Sequence, residues 1–504
     1  MRAASLAILA GVLFFLGFIG FGIWPLVFVF PAVLLLALEG AGPGRAFLLG
    51  TLTGFTALCG GYYWVVHLLV TFAGLSTPLA VLGYALLNVY QGLPWGIAAA
   101  LVVWGGRRLG GHPAWLLPPA VVAVEGVFPV IFPSFAAAAL LRQPHLTQIA
   151  DLGGAYLVDA LIMLVGGGLY AALRARRPTA APTLAAAASV LLALVYGAVR
   201  IAQVDAERDT LRTIDVALVQ ANLGSEEKTT RRYEFLERHQ TMSREVVRTH
   251  PEVDLIVWPE SAFNRALDRR RPEWVKRFIV KDIPRPVLSG AITVDYRDGE
   301  RFIFNSAVLT SSTGAVRGYY DKVRLVYFGE TIPLVDRLPF LKAWFPRTGS
   351  FDRGTTLEHL ELDDGTRLLP LICFEDLLPS LVHQLWRADG PPEVLVNVTN
   401  DSWYGDTHEP LIHLALASLR SIETRRALIR STNTGISAIV DRAGRIAHRT
   451  GQWTREVLVA EVPLVEDGRT TLYVAIGDWP VWLSIALWAG FLVLSLRARR
   501  RART

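Results

Sequence analysis

Leu369-Pro370-Leu371-Ile372-Cys373-Phe374-Glu375-Asp376 decides how the polar half of this chain is read. The apolar run has the length and make-up of a buried strand, and the helix-like stretch Asp376–Arg387 follows it. The thiol of Cys373 therefore falls at a strand-to-helix turn. Backbone N–H groups and a helix N-terminus there favour a thiolate and an oxyanion beside it. One other cysteine exists, Cys59, inside an apolar segment, so no disulfide framework is indicated. On these residues alone Cys373 is either a small buried hydrophobe or a nucleophile.

Outward from this point the pattern repeats. Strand-like runs cover Thr213–Gln220, Asp254–Trp258, Pro286–Ala291, Phe304–Thr310, Leu368–Cys373, Glu393–Val398, Ile436–Asp441 and Val457–Val462. Helix-like runs cover Tyr233–Thr249, Arg271–Val280, Asp376–Arg387 and Glu409–Arg426. β-Branched runs alternating with amphipathic stretches predict a layered α/β domain. Glu260 closes the run Asp-Leu-Ile-Val-Trp-Pro-Glu, where a strand delivers it to a sheet edge. Lys322 stands in Tyr-Tyr-Asp-Lys-Val-Arg, and Glu330 in Phe-Gly-Glu-Thr-Ile-Pro. The chain has five lysines (228, 276, 281, 322 and 342) against a large excess of arginine. A lysine kept in such a background hints at a need for a compact point charge. Singly, each of these residues reads more readily as an ordinary loop carboxylate or surface cation than as a catalytic group.

The rest of the chain has a different composition. Hydrophobic residues make up 52% of 504, and mean hydropathy is +0.37, high for a soluble protein. The excess lies in 5–200 and 479–496. Apolar spans fall near 5–21, 23–38, 46–73, 78–104, 114–140, 152–173, 182–200 and 479–496, about eight in all. The third and fifth are long enough to be broken, and Pro118, Pro119, Pro129 and Pro133 favour a break in the fifth. The expected organisation is a transmembrane bundle over 1–201, an extracytoplasmic catalytic domain over 202–477, and a last helix with a basic cytoplasmic tail over 478–504. Arginines set the orientation. Arg2, Arg45, Arg107, Arg108, Arg174, Arg176, Arg177 and the tail arginines share one side, which the positive-inside rule makes cytoplasmic. The net charge of +6 resides largely in these signals, and without a zinc-finger or RNP-type motif no nucleic-acid partner is expected. Gly50 and Gly54 form a GxxxG pair, and Gly166–Gly168 cluster in another span; both point to close helix packing. Glu125 and Asp159 are intramembrane carboxylates and so candidates for function. No HExxH occurs, and no metal site or organic cofactor is expected.

Glu260, Lys322 and Cys373, in that order and each in its own motif, resemble the catalytic triad of the nitrilase superfamily. The likeness extends to Asn-Val-Thr-Asn-Asp-Ser-Trp-Tyr-Gly at 397–405 and Arg-Ser-Thr-Asn-Thr-Gly-Ile-Ser at 430–437. Seven spans, such a domain, then one more span resemble the apolipoprotein N-acyltransferases. So do Gly-Phe-Ile-Gly-Phe-Gly-Ile-Trp-Pro near the N-terminus and Gln-Pro-His-Leu-Thr-Gln-Ile-Ala-Asp-Leu-Gly-Gly at 143–154. The resemblance implies a membrane α-helical bundle joined to a four-layer αββα domain, in the bacterial inner membrane with the catalytic domain outside the cytoplasm. It implies a phospholipid acyl donor, a Cys373 thioester, and the α-amine of a diacylglyceryl-cysteine lipoprotein as acceptor. Glu260 would act as base, Lys322 as oxyanion and thiolate partner, with Glu330, Phe374, Glu375 and Trp403 in support. Two departures stand out: Phe374 replaces a common Tyr, and Gln220–Arg231 lacks a Trp often present there. The competing readings are a membrane-tethered amidase hydrolysing C–N bonds, which leaves the spans unexplained, and a receptor or transporter with a degenerate domain, which the intact triad opposes.

Overall fold

In the computed structural model the described residues are 1–174, 181–224, 232–327, 329–332, 337, 340 and 351–501. Part of the Arg174–Pro182 linker, most of Gln220–Arg231, Phe328, Lys342 and the last three residues lie outside them. The chain forms two compact units, one of 1–66, 76–203 and 471–504, the other of 67–75 and 204–470.

The first unit is helical. Its main helices are α1 (Arg2–Gly17), α2 (Leu26–Leu38), α3 (Pro43–Gly61), α4 (Trp64–Thr71, which continues into the second unit), α5 (Thr77–Leu109), α6 (Pro113–Val127), α7 (Ala150–Arg174), α8 (Ala181–Glu207) and, at the C-terminus, α12 (Trp479–Arg501). Among the described residues α5, α7, α8 and α12 are long and apolar enough to cross a membrane. The pair α3 and α4, bent by 67°, makes a fifth if taken as one span, while α1, α2 and α6 are shorter apolar helices. The expected span at 46–73 is thus broken at Tyr62–Tyr63. That at 114–140 stops at Val127, before Pro129 and Pro133, and resumes as a 3-10 turn over Ala136–Leu140.

The glycines are used for contact. A Cβ on Gly50 would stand 2.3 Å from the Trp95 carbonyl oxygen, and one on Gly54 2.8 Å from Gly92 Cα, so α3 and α5 touch backbone to backbone. Gly166, Gly167 and Gly168 meet Pro31, Ala114 and Ala186 respectively, three different helices. Asp159 has a structural duty: its carboxylate accepts from Ala136 N and Ala137 N at 3.0 and 2.6 Å, satisfying the first donors of the 3-10 turn.

The second unit stacks two sheets. Strands β1 (Thr213–Gln220), β2 (Leu255–Val257), β3 (Phe263–Asp268), β4 (Val287–Arg297), β5 (Glu300–Thr310), β6 (Val316–Asp321) and β13 (Glu456–Pro463) make one, in the order β13-β1-β2-β4-β5-β6 with β3 beside β4. Strands β7 (Leu360–Glu361), β8 (Arg367–Ile372), β9 (Val394–Thr399), β10 (Leu428–Thr432), β11 (Ala438–Val440) and β12 (Ile446–Arg449) make the other, in the order β12-β11-β10-β9-β8-β7. Alternation along β1 explains the layering. Val216 and Leu218 join Leu368, Ile372 and Val396 in the core between the sheets, whereas Ala217 and Val219 pack with Phe235 and Val246 of α9 (Arg232–Thr249). On the far side Leu381 and Leu385 of α10 (Pro379–Asp389) and Leu414 of α11 (Glu409–Thr424) seal the second sheet. The result is the expected four-layer αββα arrangement.

Three local expectations are corrected. Arg271–Val280 is helical only over 273–279, and in π form at Val275–Ile279 rather than as a regular α-helix. Asp376 does not start an α-helix: a 3-10 turn over Cys373–Leu377 intervenes before Pro379 opens α10. The strands β3, β6, β7, β10 and β12 carry polar or charged residues that hide them from an apolar-run reading.

Candidate active site

β2, β4 and β6 point the same way, since β4 pairs parallel with β2 and β5 is antiparallel to both β4 and β6. Their carboxyl ends share one edge, where open α/β sheets present ligand sites. Glu260 follows β2 and Lys322 follows β6. In the second sheet Cys373 follows β8, which runs parallel to β9.

Glu260 reaches its place because the backbone around Pro259–Ser261 crosses tightly over β4. A Cβ on Gly290 would stand 2.5 Å from Glu260 Cα, and Ser261 adopts φ +56°. Only glycine permits that approach. Lys322 is 1% exposed. Its Nζ lies 2.9 Å from Glu330 Oε2 and 3.4 Å from Glu260 Oε1. Asn305 Nδ2 donates to both carboxylates, at 2.7 Å each, and so sets their spacing. Glu330 also accepts from Val326 N at 2.9 Å. Its carboxylate thus fixes the turn after Lys322 as well as the ammonium. Glu260 Oε2 is buried and has no hydrogen-bond partner among the described residues.

Cys373 is buried with φ +53°, a region that costs a residue with a side chain about 1 kcal/mol or more. Glu375 holds this turn. Its carboxylate accepts from Ile372 N at 2.9 Å, Tyr320 Oη at 3.0 Å, Val323 N at 2.7 Å and Arg324 N at 2.9 Å. One side chain therefore ties the turn bearing the thiol to the segment bearing the lysine. Burial pushes the Glu375 pKa up to about 7 against those donors.

The electrostatics revise the expected lowering of the thiol pKa. Burial, then the neighbouring Glu260 carboxylate, push Cys373 well above the usual thiol value. The Lys322 charge and a hydrogen bond with Thr399 only partly offset them. Cys373 therefore rests as a thiol and needs a base at the moment of attack. Burial acts downward on Lys322, but Glu330, Glu260 and Cys373 more than compensate and raise its pKa, so it stays charged.

The supporting residues are placed as follows. Phe374 is half-buried against the core between the sheets. Trp403 lies in the 3-10 turn Asp401–Tyr404 after β9, its ring 4.1 Å from that of Phe72 at 33°. Asn305, Asn397 and Thr399, and the buried cluster Asp376, Arg430, Asp401 and His413, were not singled out from the sequence. For Asn305, Asn397 and Thr399 a signal was there, as polar residues inside strands that are otherwise apolar, such as Val-Leu-Val-Asn-Val-Thr.

The chain is similar to known proteins along most of its length. Residues 215–470 match the Carbon-nitrogen hydrolase family model, and residues 10–168 match the Apolipoprotein N-acyltransferase N-terminal domain. A Geobacter metallireducens protein named apolipoprotein N-acyltransferase is 33% identical, over 99% of this chain and 96% of its own length. The chain belongs to the apolipoprotein N-acyltransferase family. A relative of the same name from Pseudomonas putida is 30% identical over 98% of this chain and 96% of its own. Solved structures that match are a nitrilase-superfamily member from Saccharomyces cerevisiae (16% identity, TM-score 0.37, covering 50% of this chain and 90% of that one) and a carbon-nitrogen hydrolase from Helicobacter pylori (17%, 0.35, 50% and 89%). The family assignment bears out the resemblance read from Glu260, Lys322, Cys373 and the apolar spans.

Proposed function

We propose that this protein is an apolipoprotein N-acyltransferase that moves a fatty-acyl group from a phospholipid, through a Cys373 thioester, to the α-amine of a lipoprotein's N-terminal diacylglyceryl-cysteine. The observation that carries the reading is the buried cluster of Glu260, Lys322 and Cys373 in a chain that also holds several membrane-length helices. In the first step Cys373 attacks the donor ester carbonyl while its proton passes to Glu260, whose free Oε2 can receive it. Lys322 Nζ stabilises the tetrahedral oxyanion. Collapse releases a lysophospholipid, whose alkoxide takes the proton back from Glu260. In the second step the acceptor amine attacks the thioester and Glu260 takes the amine proton; collapse expels the Cys373 thiolate, which takes that proton back from Glu260 as the amide product leaves. Glu330 and Glu375 are positioning residues, the first for the ammonium and the second for the turn carrying the thiol.

The arrangement in the membrane belongs to the same proposal. The chain makes about eight passes, with α1, α2 and α6 as short crossings. Residues 202–477 stand outside the cytoplasm of a bacterial inner membrane, an orientation that the arginine distribution supports. An amidase would share the triad, but water as acceptor gives the apolar helices no task. Two assays decide. Purified protein given phospholipid and a diacylglyceryl peptide should yield N-acylated peptide by mass spectrometry, and Cys373→Ala should yield none. Release of free fatty acid at the same rate with or without peptide would replace transfer by hydrolysis. A reporter fused near residue 300 should be active only outside the cytoplasm, and a cytoplasmic signal would overturn the topology.

A further inference from the structure

Parallel pairing sets Ile372 of β8 opposite Val398 of β9, so one step further Thr399 stands beside Cys373. Thr399 is fully buried, and its hydroxyl is a neighbour of the thiol that favours the thiolate form. The same hydroxyl oxygen lies 3.3 Å from Asp401 Oδ1, to which it donates. A hydroxyl has one proton, so it can serve Asp401 or a sulfur anion, not both.

Asp401 does not depend on that proton. Arg430 Nη2 donates to its Oδ2 at 3.1 Å and its Oδ1 at 3.4 Å, and His413 Nδ1 lies 3.3 Å from Oδ1. The guanidinium is itself anchored. Its Nη1 donates to Asp376 Oδ2 at 2.7 Å and to Asn397 Oδ1 at 2.9 Å. Because arginine offers no acceptor, this contact dictates which end of the Asn397 amide faces it. The other end, Nδ2, then donates to the Cys373 carbonyl at 2.9 Å. One buried guanidinium thus reaches the nucleophile by two routes, to its carbonyl through Asn397 and to its sulfur through Asp401 and Thr399. Among the described residues, other charged or titratable groups near the thiol include Glu260, Lys322, Glu330 and Tyr404. Among them Lys322 is the sole cation, and it is shared between two carboxylates.

We propose that Thr399 is a further catalytic residue, whose O–H rests on Asp401 while Cys373 is a thiol and turns to the sulfur when the thiolate forms. The thiol proton still goes to Glu260; Thr399 keeps its own and only rotates. Arg430 and His413 are positioning residues that hold Asp401 so that the hydroxyl is released. The proposal rests on Cys373 being the nucleophile, as set out above.

The test is the pH dependence of Cys373 alkylation by iodoacetamide in the full-length protein, followed by peptide mass spectrometry so that Cys59 does not interfere. A hydrogen bond to a charged group supports an upward shift of about 1–2 pH units in Thr399→Val, with Thr399→Ser close to wild type. Acylation at neutral pH should fall at least about tenfold in kcat with little change in KM, since a neutral donor ester does not meet Thr399 before the thiolate exists. A wild-type alkylation profile in Thr399→Val would overturn the proposal. Should Thr399→Val fail to fold, Thr399→Ser against Thr399→Ala isolates the hydroxyl, and identical profiles for that pair would overturn it equally. If wild-type Cys373 is not alkylated at any pH, it is the nucleophile reading that fails.

Discussion

Replacing Lys322 by Arg keeps the charge and removes the shape. Nζ sits at one point from which it meets Glu330 Oε2 at 2.9 Å and Glu260 Oε1 at 3.4 Å, with Asn305 bridging the two carboxylates at 2.7 Å each. The site is 1% exposed, so a larger planar fork cannot expand into solvent. Overpacking of this kind costs about 1–3 kcal/mol, equivalent to lowering the melting temperature by about 2–12 °C in a domain of this size. The catalytic loss should be far larger. Displacing one oxyanion donor reduces the rate by about 10²–10³. Lys322→Met makes the contrast, because it leaves Glu260 and Glu330 as two buried carboxylates without a counter-charge, at a cost of about 3–5 kcal/mol. The assay is single-turnover acylation of Cys373 by phospholipid, read by mass spectrometry, alongside thermal unfolding in the same detergent. Lys322→Arg should be folded and nearly inactive, and Lys322→Met clearly destabilised. Near-normal acylation in Lys322→Arg would remove Lys322 from the mechanism.

Three further outcomes are expected. Glu375→Gln presents an NH₂ group to two of the four donors that Glu375 now accepts, and should destabilise the catalytic unit by about 2–4 kcal/mol and slow acylation; unchanged melting and rate would show that this tie is dispensable. Phe374→Tyr should be tolerated, since the half-buried ring lies at the rim of the core, and a folded but inactive variant would mean that local packing differs from that of relatives bearing Tyr. Stability should fall as pH rises. Burial and Arg430 act downward on His413, but Asp376 and Asp401 hold its pKa at about 9, while burial lifts Glu409 to about 8. The His413 contribution is complete below its unfolded value of about 6.5 and lost through about 9, and Glu409 acts in the same direction from about 4.5 to 8. Melting temperature should therefore drop between about pH 6.5 and 9, and His413→Gln should flatten that slope; an equally steep slope in the variant would contradict the assignment.

Much of this molecule could be read in advance where one physical signal dominated. The central strands were legible because burial on both faces demands continuous apolar runs, and β1 was bounded to the residue. Glu260 and Cys373 could be picked out because each closes or follows such a run, and Lys322 because lysine is scarce in this chain. Edge strands such as β12, with Ala447, His448 and Arg449 exposed, carry no such run and were missed. The buried polar framework was equally opaque. Arg430 and Asp376 are 54 positions apart, and nothing local marks them as partners. The thiol's raised pKa was misjudged for a related reason: the turn geometry is local, but the burial that outweighs it is a property of the assembled sheets. In the helical unit, hydropathy located the apolar stretches, while the breaks at Tyr62–Tyr63 and after Val127 came from backbone constraints within them.

The central claim is a two-step reaction through one sulfur, and mass spectrometry of the intact acyl-enzyme tests it most directly. Protein incubated with phospholipid alone should carry a fatty-acyl group on Cys373. That adduct should persist, because a thioester shielded from water hydrolyses slowly. Adding a diacylglyceryl peptide with a free N-terminus should discharge it, and the N-acetylated peptide should leave it in place. Glu260→Gln should acylate poorly, since the thiol would keep its proton. An adduct that forms equally in Cys373→Ala, or one that water discharges as fast as the peptide does, would contradict the account.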